Sequence, residues 1–131
     1  MLKEYDGRVR LVVKDMPLPF HELARPAHEA ARCAAEAGKF WAYHDRLFQE
    51  QPAFERQELI GYAADLGIDR AGFTRCLDER RFAAAVEADV SQARALGING
   101  TPTFLINGRQ LVGAQPVEAF RDMIDDLLKA R

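Results

Sequence analysis

Two cysteines are all the chain has, Cys33 and Cys76, and they do not form a C-x-x-C pair. Their spacing matches neither a zinc-ligand pattern nor a vicinal redox dithiol. A basic surplus is lacking as well: 18 Lys and Arg stand against 20 Asp and Glu, for a formal net charge of −2. Bulk electrostatics therefore attract neither nucleic acid nor anionic lipid. No apolar run is long enough to span a bilayer, and charges begin at Lys3, so MLKEYDGRVRLVVKD reads neither as a signal peptide nor as a membrane span. Internal repeats and low-complexity tracts are missing too. What is present is a chain of 131 residues, 48% hydrophobic, long enough for one domain with a real core and too short for two ordinary ones.

In GINGTPTFLINGRQLVG (97–113), Asn107-Gly108 lies between two apolar-rich runs and predicts a tight hairpin, because that pair accepts positive φ. Pro102 just before it removes a backbone donor from the start of a strand, and its X-Pro bond is a candidate for the cis form. Val9, Leu11, Val12 and Val13, bounded by Gly7 and the turn Asp15-Met16-Pro17-Leu18-Pro19, predict a buried strand over 8–14. Met1 to Tyr5 reads as the last turn of a helix closed by Asp6-Gly7.

From His21 to Gly97 the apolar period becomes helical. Leu23, Ala27, Ala30, Ala31 and Ala34 make a narrow stripe that lets a neighbouring helix come close, and Gly38 ends it. Phe40, Tyr43, His44 and Leu47 mark a second helix that stops before Pro52. Leu59, Ile60, Ala63 and Leu66 mark a third, closed by Gly67. Asp69 caps a fourth carrying Phe73, Cys76 and Leu77. Phe82, Val86, Val90, Ala93 and Leu96 define a fifth. A last helix opens at Gln115-Pro116, where proline's missing N–H costs nothing, and shows one apolar face of Val117, Phe120, Ile124, Leu127 and Leu128.

The segments PLPFHELARPAHEAARCAAEAGKFWAYHDRLF (17–48), ALGINGTPTFLINGRQLVGAQPVEAF (95–120) and the lead-in YDGRVRLVVKD (5–15) resemble the DsbA-like thioredoxin-fold oxidoreductases, over essentially the whole chain. The resemblance implies an α/β, thioredoxin-like domain over 1–131, with 1–20 and 98–131 as a partial thioredoxin core and 21–97 as a large helical insertion. That family carries a C-x-x-C at the start of its first helix and a cis proline beside it. By resemblance Pro102 is that proline, and Gly100, Thr101 and Pro102 form the loop whose backbone binds the substrate chain.

The chain departs from the family in starting where the first helix would end, so the first strand and the dithiol are expected to be missing. The expectation is a domain with no catalytic residue of its own, inactive alone, with no cofactor. The first strand is central in the thioredoxin sheet, so the strands at 8–14 and 103–106 are each expected to lose a partner. Unpaired buried backbone groups cost about 1 to 3 kcal/mol each, which points to strand rearrangement or a homodimer. The partners implied are unfolded or reduced proteins and a second copy, and the compartment implied is extracytoplasmic. The alternative function is a non-catalytic peptide-binding or dimerisation module on the same fold; a third is a glutathione-dependent isomerase or transferase.

Neither cysteine is placed at a helix N-terminus, where a thiol pKa is depressed. A structural bridge, two buried thiols and a redox pair all fit their context. The bridge is favoured because similar cysteines recur in the helical insertions of DsbA-like relatives. His21, His28 and His44 are read as surface or capping residues with no metal, since His21 and His28 would lie about 10.5 Å apart along a helix axis. Phe40, Trp41, Tyr43 and Phe48 are expected to pack between the insertion and the core. Asp78-Glu79-Arg80-Arg81 is expected to be a solvated helix junction.

Overall fold

The computed structural model describes residues 2–129. Its elements run α1 (Ala24–Glu36), α2 (Phe40–Gln49), α3 (Arg56–Asp65), α4 (Arg70–Asp78), α5 (Ala83–Ala95), β1 (Thr103–Ile106), β2 (Arg109–Val112) and α6 (Val117–Lys129). The residues fall into two units, Asp15–Gln92 and Met1–Lys14 with Ala93–Arg131.

The helical unit is organised by the alanine stripe of α1. Ala27, Ala30, Ala31 and Ala34 are buried, and with no side chain beyond Cβ they let α2, α3 and α4 all pack on one helix. Tyr43, Leu59, Phe73 and Cys76 fill the space between these helices, each fully buried large side chain contributing about 1.5 to 3 kcal/mol. Helix starts follow local chemistry. Glu58 Oε1 accepts the Glu55 N–H at 3.0 Å before α3, and Asp69 Oδ2 accepts the Gly72 N–H at 2.9 Å before α4.

Helix ends show one repeated device. Gly38 has φ +75°, its N–H donates to the Ala35 carbonyl and the Lys39 N–H donates to the Ala34 carbonyl, both at 2.9 Å, the paired bonds that close a helix through a left-handed residue. Gly67 closes α3 in the same way. At the end of α4 the same position is held by Arg80, with φ +50°, a conformation that costs a residue bearing Cβ about 1 kcal/mol or more.

In the other unit, β1 and β2 form a two-stranded antiparallel sheet with Phe104 opposite Leu111 and Ile106 opposite Arg109. Asn107 (φ +49°) and Gly108 (φ +87°) turn the hairpin, the left-handed pair that matches strand twist. Phe104 meets Phe120 of α6 edge-on at 4.7 Å. Arg121 holds the Glu4 carboxylate with two hydrogen bonds, at 2.9 and 2.6 Å, and the Tyr5 hydroxyl donates to Asp125 at 2.8 Å, so the N-terminal turn is tied to α6.

The strand expected over 8–14 does not form. A strand exists through its ladder, and among the described residues no segment pairs with this one; Leu11, Val12 and Val13 are exposed rather than buried, at 47, 57 and 38%. Residues 2–8 form turns rather than the end of a helix, with Gly7 at φ +75°, and Met1 lies outside the described residues.

Candidate functional site

Gly100, Thr101 and Pro102 lead into β1, with Thr101 and Pro102 exposed. The Thr101–Pro102 peptide bond is cis. Two hydrogen bonds fix the loop's outline: the Thr103 hydroxyl donates to the Gly100 carbonyl at 2.7 Å, and the Gly113 N–H donates to the Pro102 carbonyl at 2.8 Å. In a two-residue hairpin the residues flanking the turn exchange hydrogen bonds, so the bonded positions on β1 are Ile106, Phe104 and Pro102. Thr103 and Leu105 therefore direct their backbone N–H and C=O away from β2. Among the described residues no third strand takes them up. The result is an exposed loop continuing into an unpaired strand edge, the geometry that accepts an added extended peptide.

The cysteines are joined. Cys33 of α1 and Cys76 of α4 form a disulfide with Cα atoms 6.0 Å apart, both residues buried, and no free cysteine remains among the described residues. Within these 131 residues, thiol chemistry can come only from that bridge.

A third constellation was not visible in the sequence. The Asp15 carboxylate is buried; it takes a hydrogen bond from His28 Nδ1 at 2.8 Å on one oxygen and from Arg32 Nε on the other. Asp89 Oδ2 accepts both the Asp15 N–H at 2.9 Å and an Arg32 N–H at 2.7 Å. Burial acts to raise the Asp15 pKa, but the hydrogen bonds from His28 and Arg32 and their charges outweigh it and hold the carboxyl below its ordinary range. The cluster ties the start of the unit to α1 and α5. In the sequence Asp15 reads as part of a turn, and nothing in its local pattern shows that α1 brings two donors to its carboxylate and α5 an acceptor to its N–H.

Among the described residues no three His, Cys, Asp or Glu side chains are placed to hold a metal ion. His44 Nδ1 lies 3.1 Å from Asp45, within an aromatic row. That row corrects one expectation. Tyr43 is buried, but Trp41 and Phe48 are 49 and 65% exposed and flank His44 with ring centroids 5.3 and 4.9 Å away. Positions 41, 44 and 48 share one face of α2, and Tyr43 occupies the opposite, inward one. The Asp78–Arg81 stretch is also more than a solvated junction. Arg80 donates to both oxygens of the buried Glu29, at 3.3 and 2.8 Å, and Asp78 takes two bonds from Arg56.

The thioredoxin family model matches residues 1–126. Among curated proteins, the chain is 42% identical over 81% of its length to a Na(+)/H(+) antiporter NhaA of Herminiimonas arsenicoxydans, and 40% identical over 91% to NhaA 3 of Salinispora tropica. It is 28% identical over 70% of its length to disulfide bond formation protein D of Bacillus subtilis. The chain spans 17 and 18% of those antiporters and 44% of the Bacillus protein. No solved structure matches it significantly.

Proposed function

Since the chain belongs to the thioredoxin family, we propose that it is a DsbA-type domain of a thiol–disulfide system whose own contribution is to hold an extended substrate chain at Gly100, Thr101 and Pro102 and along the β1 edge. The unpaired N–H and C=O groups of Thr103 and Leu105 beside that loop are the observation that carries this reading. The proposed substrate class is unfolded or reduced proteins, a reading supported by the likeness to a protein named for disulfide bond formation. The two cysteines are consumed in a buried bridge, so this chain binds such substrates without oxidising them through a C-x-x-C. The Cys33–Cys76 bridge also favours an oxidising, extracytoplasmic compartment.

Amide hydrogen exchange tests the binding reading. Adding a reduced, unfolded polypeptide slows exchange at Thr103 and Leu105 while leaving Phe104 and Ile106, already paired in the hairpin, unchanged. Uniform exchange with and without the polypeptide overturns it.

A second reading, association into a homodimer, is favoured by the exposed run Leu11, Val12 and Val13 together with the open β1 edge. Light scattering gives a dimer mass if it holds and a monomer mass at all concentrations if it fails.

A further inference from the structure

A cleft of about 290 Å³ opens on the helical unit, and Cys33, Cys76 and Ala37 are among its walls. Its volume is at the small end of ligand pockets, enough for a compact molecule and too small for a polypeptide. Four charged side chains also line it. Glu36 is engaged by Arg81, and Asp69 by the Gly72 N–H at 2.9 Å, so both carboxylates already have donors. Arg75 is exposed and makes no ion pair among the described residues. Among the described residues, the guanidinium on this lining that is left without a hydrogen-bonded partner is that of Arg75, beside a disulfide.

From this juxtaposition we infer that the cleft admits a small anionic thiol, one bearing a carboxylate or sulfonate, which exchanges with the Cys33–Cys76 disulfide. The incoming thiolate attacks Cys33 Sγ from the cleft that both cysteines line. A mixed disulfide forms, the bond to Cys76 breaks, and the electron pair leaves on the Cys76 sulfur, which takes a proton from water. A second thiolate attacks the small molecule's sulfur in that mixed disulfide and frees Cys33. Two small thiols are oxidised to one disulfide, and the protein bridge is reduced to two thiols. The covalent link from α1 to α4 is thereby opened, so the helical unit registers the ambient thiol pool. This site is independent of the proline loop, and its failure leaves the peptide-binding reading untouched.

The test uses the oxidised 131-residue chain under native conditions with mercaptoethanesulfonate, mercaptoethanol and cysteamine. Adducts are followed by intact mass and free thiols by titration. Each rate is divided by that thiol's rate on the urea-unfolded chain, which removes intrinsic nucleophilicity. The expected rates rise in proportion to thiol concentration and fall in the order sulfonate, alcohol, amine, several-fold from first to last. Arg75→Gln narrows that spread, and Ala37→Phe slows all three thiols. The charge series on the unaltered chain decides the matter even where a variant folds poorly. A rate independent of thiol concentration, meaning that the bridge is reached only after the unit opens, overturns the inference; so do three equal normalised rates.

Discussion

The Tyr43 hydroxyl donates a hydrogen bond to the Leu59 carbonyl oxygen at 2.9 Å, and both residues are fully buried. The bond joins α2 to α3 inside the core, and burial holds the phenol's pKa far above its ordinary value, so it stays neutral and donating at every working pH. Tyr43→Phe keeps the ring and removes the donor, at a cost of about 1 kcal/mol. Tyr43→Ala also empties the space and costs about 3 to 5 kcal/mol. Urea denaturation of the two variants measures the difference.

Arg80 sets a backbone cost against a side-chain gain. Its φ of +50° belongs to glycine, yet its guanidinium neutralises Glu29, whose side chain is 4% exposed. Arg80→Ala keeps the strained backbone and strands Glu29, for a loss on the order of 2 kcal/mol. Arg80→Gly strands Glu29 as well but relieves the backbone, and is expected to be about 1 kcal/mol more stable than the alanine variant. The order of their urea midpoints, glycine above alanine and both below the parent, checks both halves of the argument.

Asp15 gives the helical unit an acid limit. A carboxyl whose folded pKa is depressed contributes stability above its unfolded value, near 3.9, and that stability is lost as pH falls through the folded value. Stability therefore drops below about pH 4. Asp15→Asn costs on the order of 2 kcal/mol at neutral pH and flattens part of the acid slope, as urea midpoints from pH 7 to pH 3 will show.

Replacing both cysteines, Cys33→Ala with Cys76→Ala, opens a loop set by a sequence separation of 43 residues. The chain-entropy model assigns roughly 4 kcal/mol to such a bridge. Thermal or urea unfolding of the double variant is expected to show most of that loss, with the hairpin's amide exchange changed less than that of α1 and α4.

The helices were legible because each carried its own punctuation. Gly38, Gly67 and Gly97 have the positive φ expected of helix-closing residues, and Asp69 caps α4. The hairpin was legible from Asn107-Gly108 alone. What could not be read is whatever depends on a distant partner. Val9 to Val13 has a strand's composition, but composition does not supply the neighbouring strand that makes one. Arg80 sits in a run of four charges, and only the fold brings it to Glu29. Asp15, His28, Arg32 and Asp89 are scattered through the sequence and meet only once α1 and α5 have packed. At the proposed peptide site, Gly100, Thr101 and Pro102 were named through family likeness, whereas the open edge at Thr103 and Leu105 emerged from strand register.

The bare run at Leu11, Val12 and Val13 has a practical consequence. Short, exposed, β-prone stretches are adhesive, and Arg8 and Arg10 beside this one bring like charges together wherever two copies meet along it. Salt screens that repulsion without weakening the apolar attraction. The colloidal behaviour of the isolated chain should thus worsen with ionic strength, and dilute, low-salt buffers are where it will keep best.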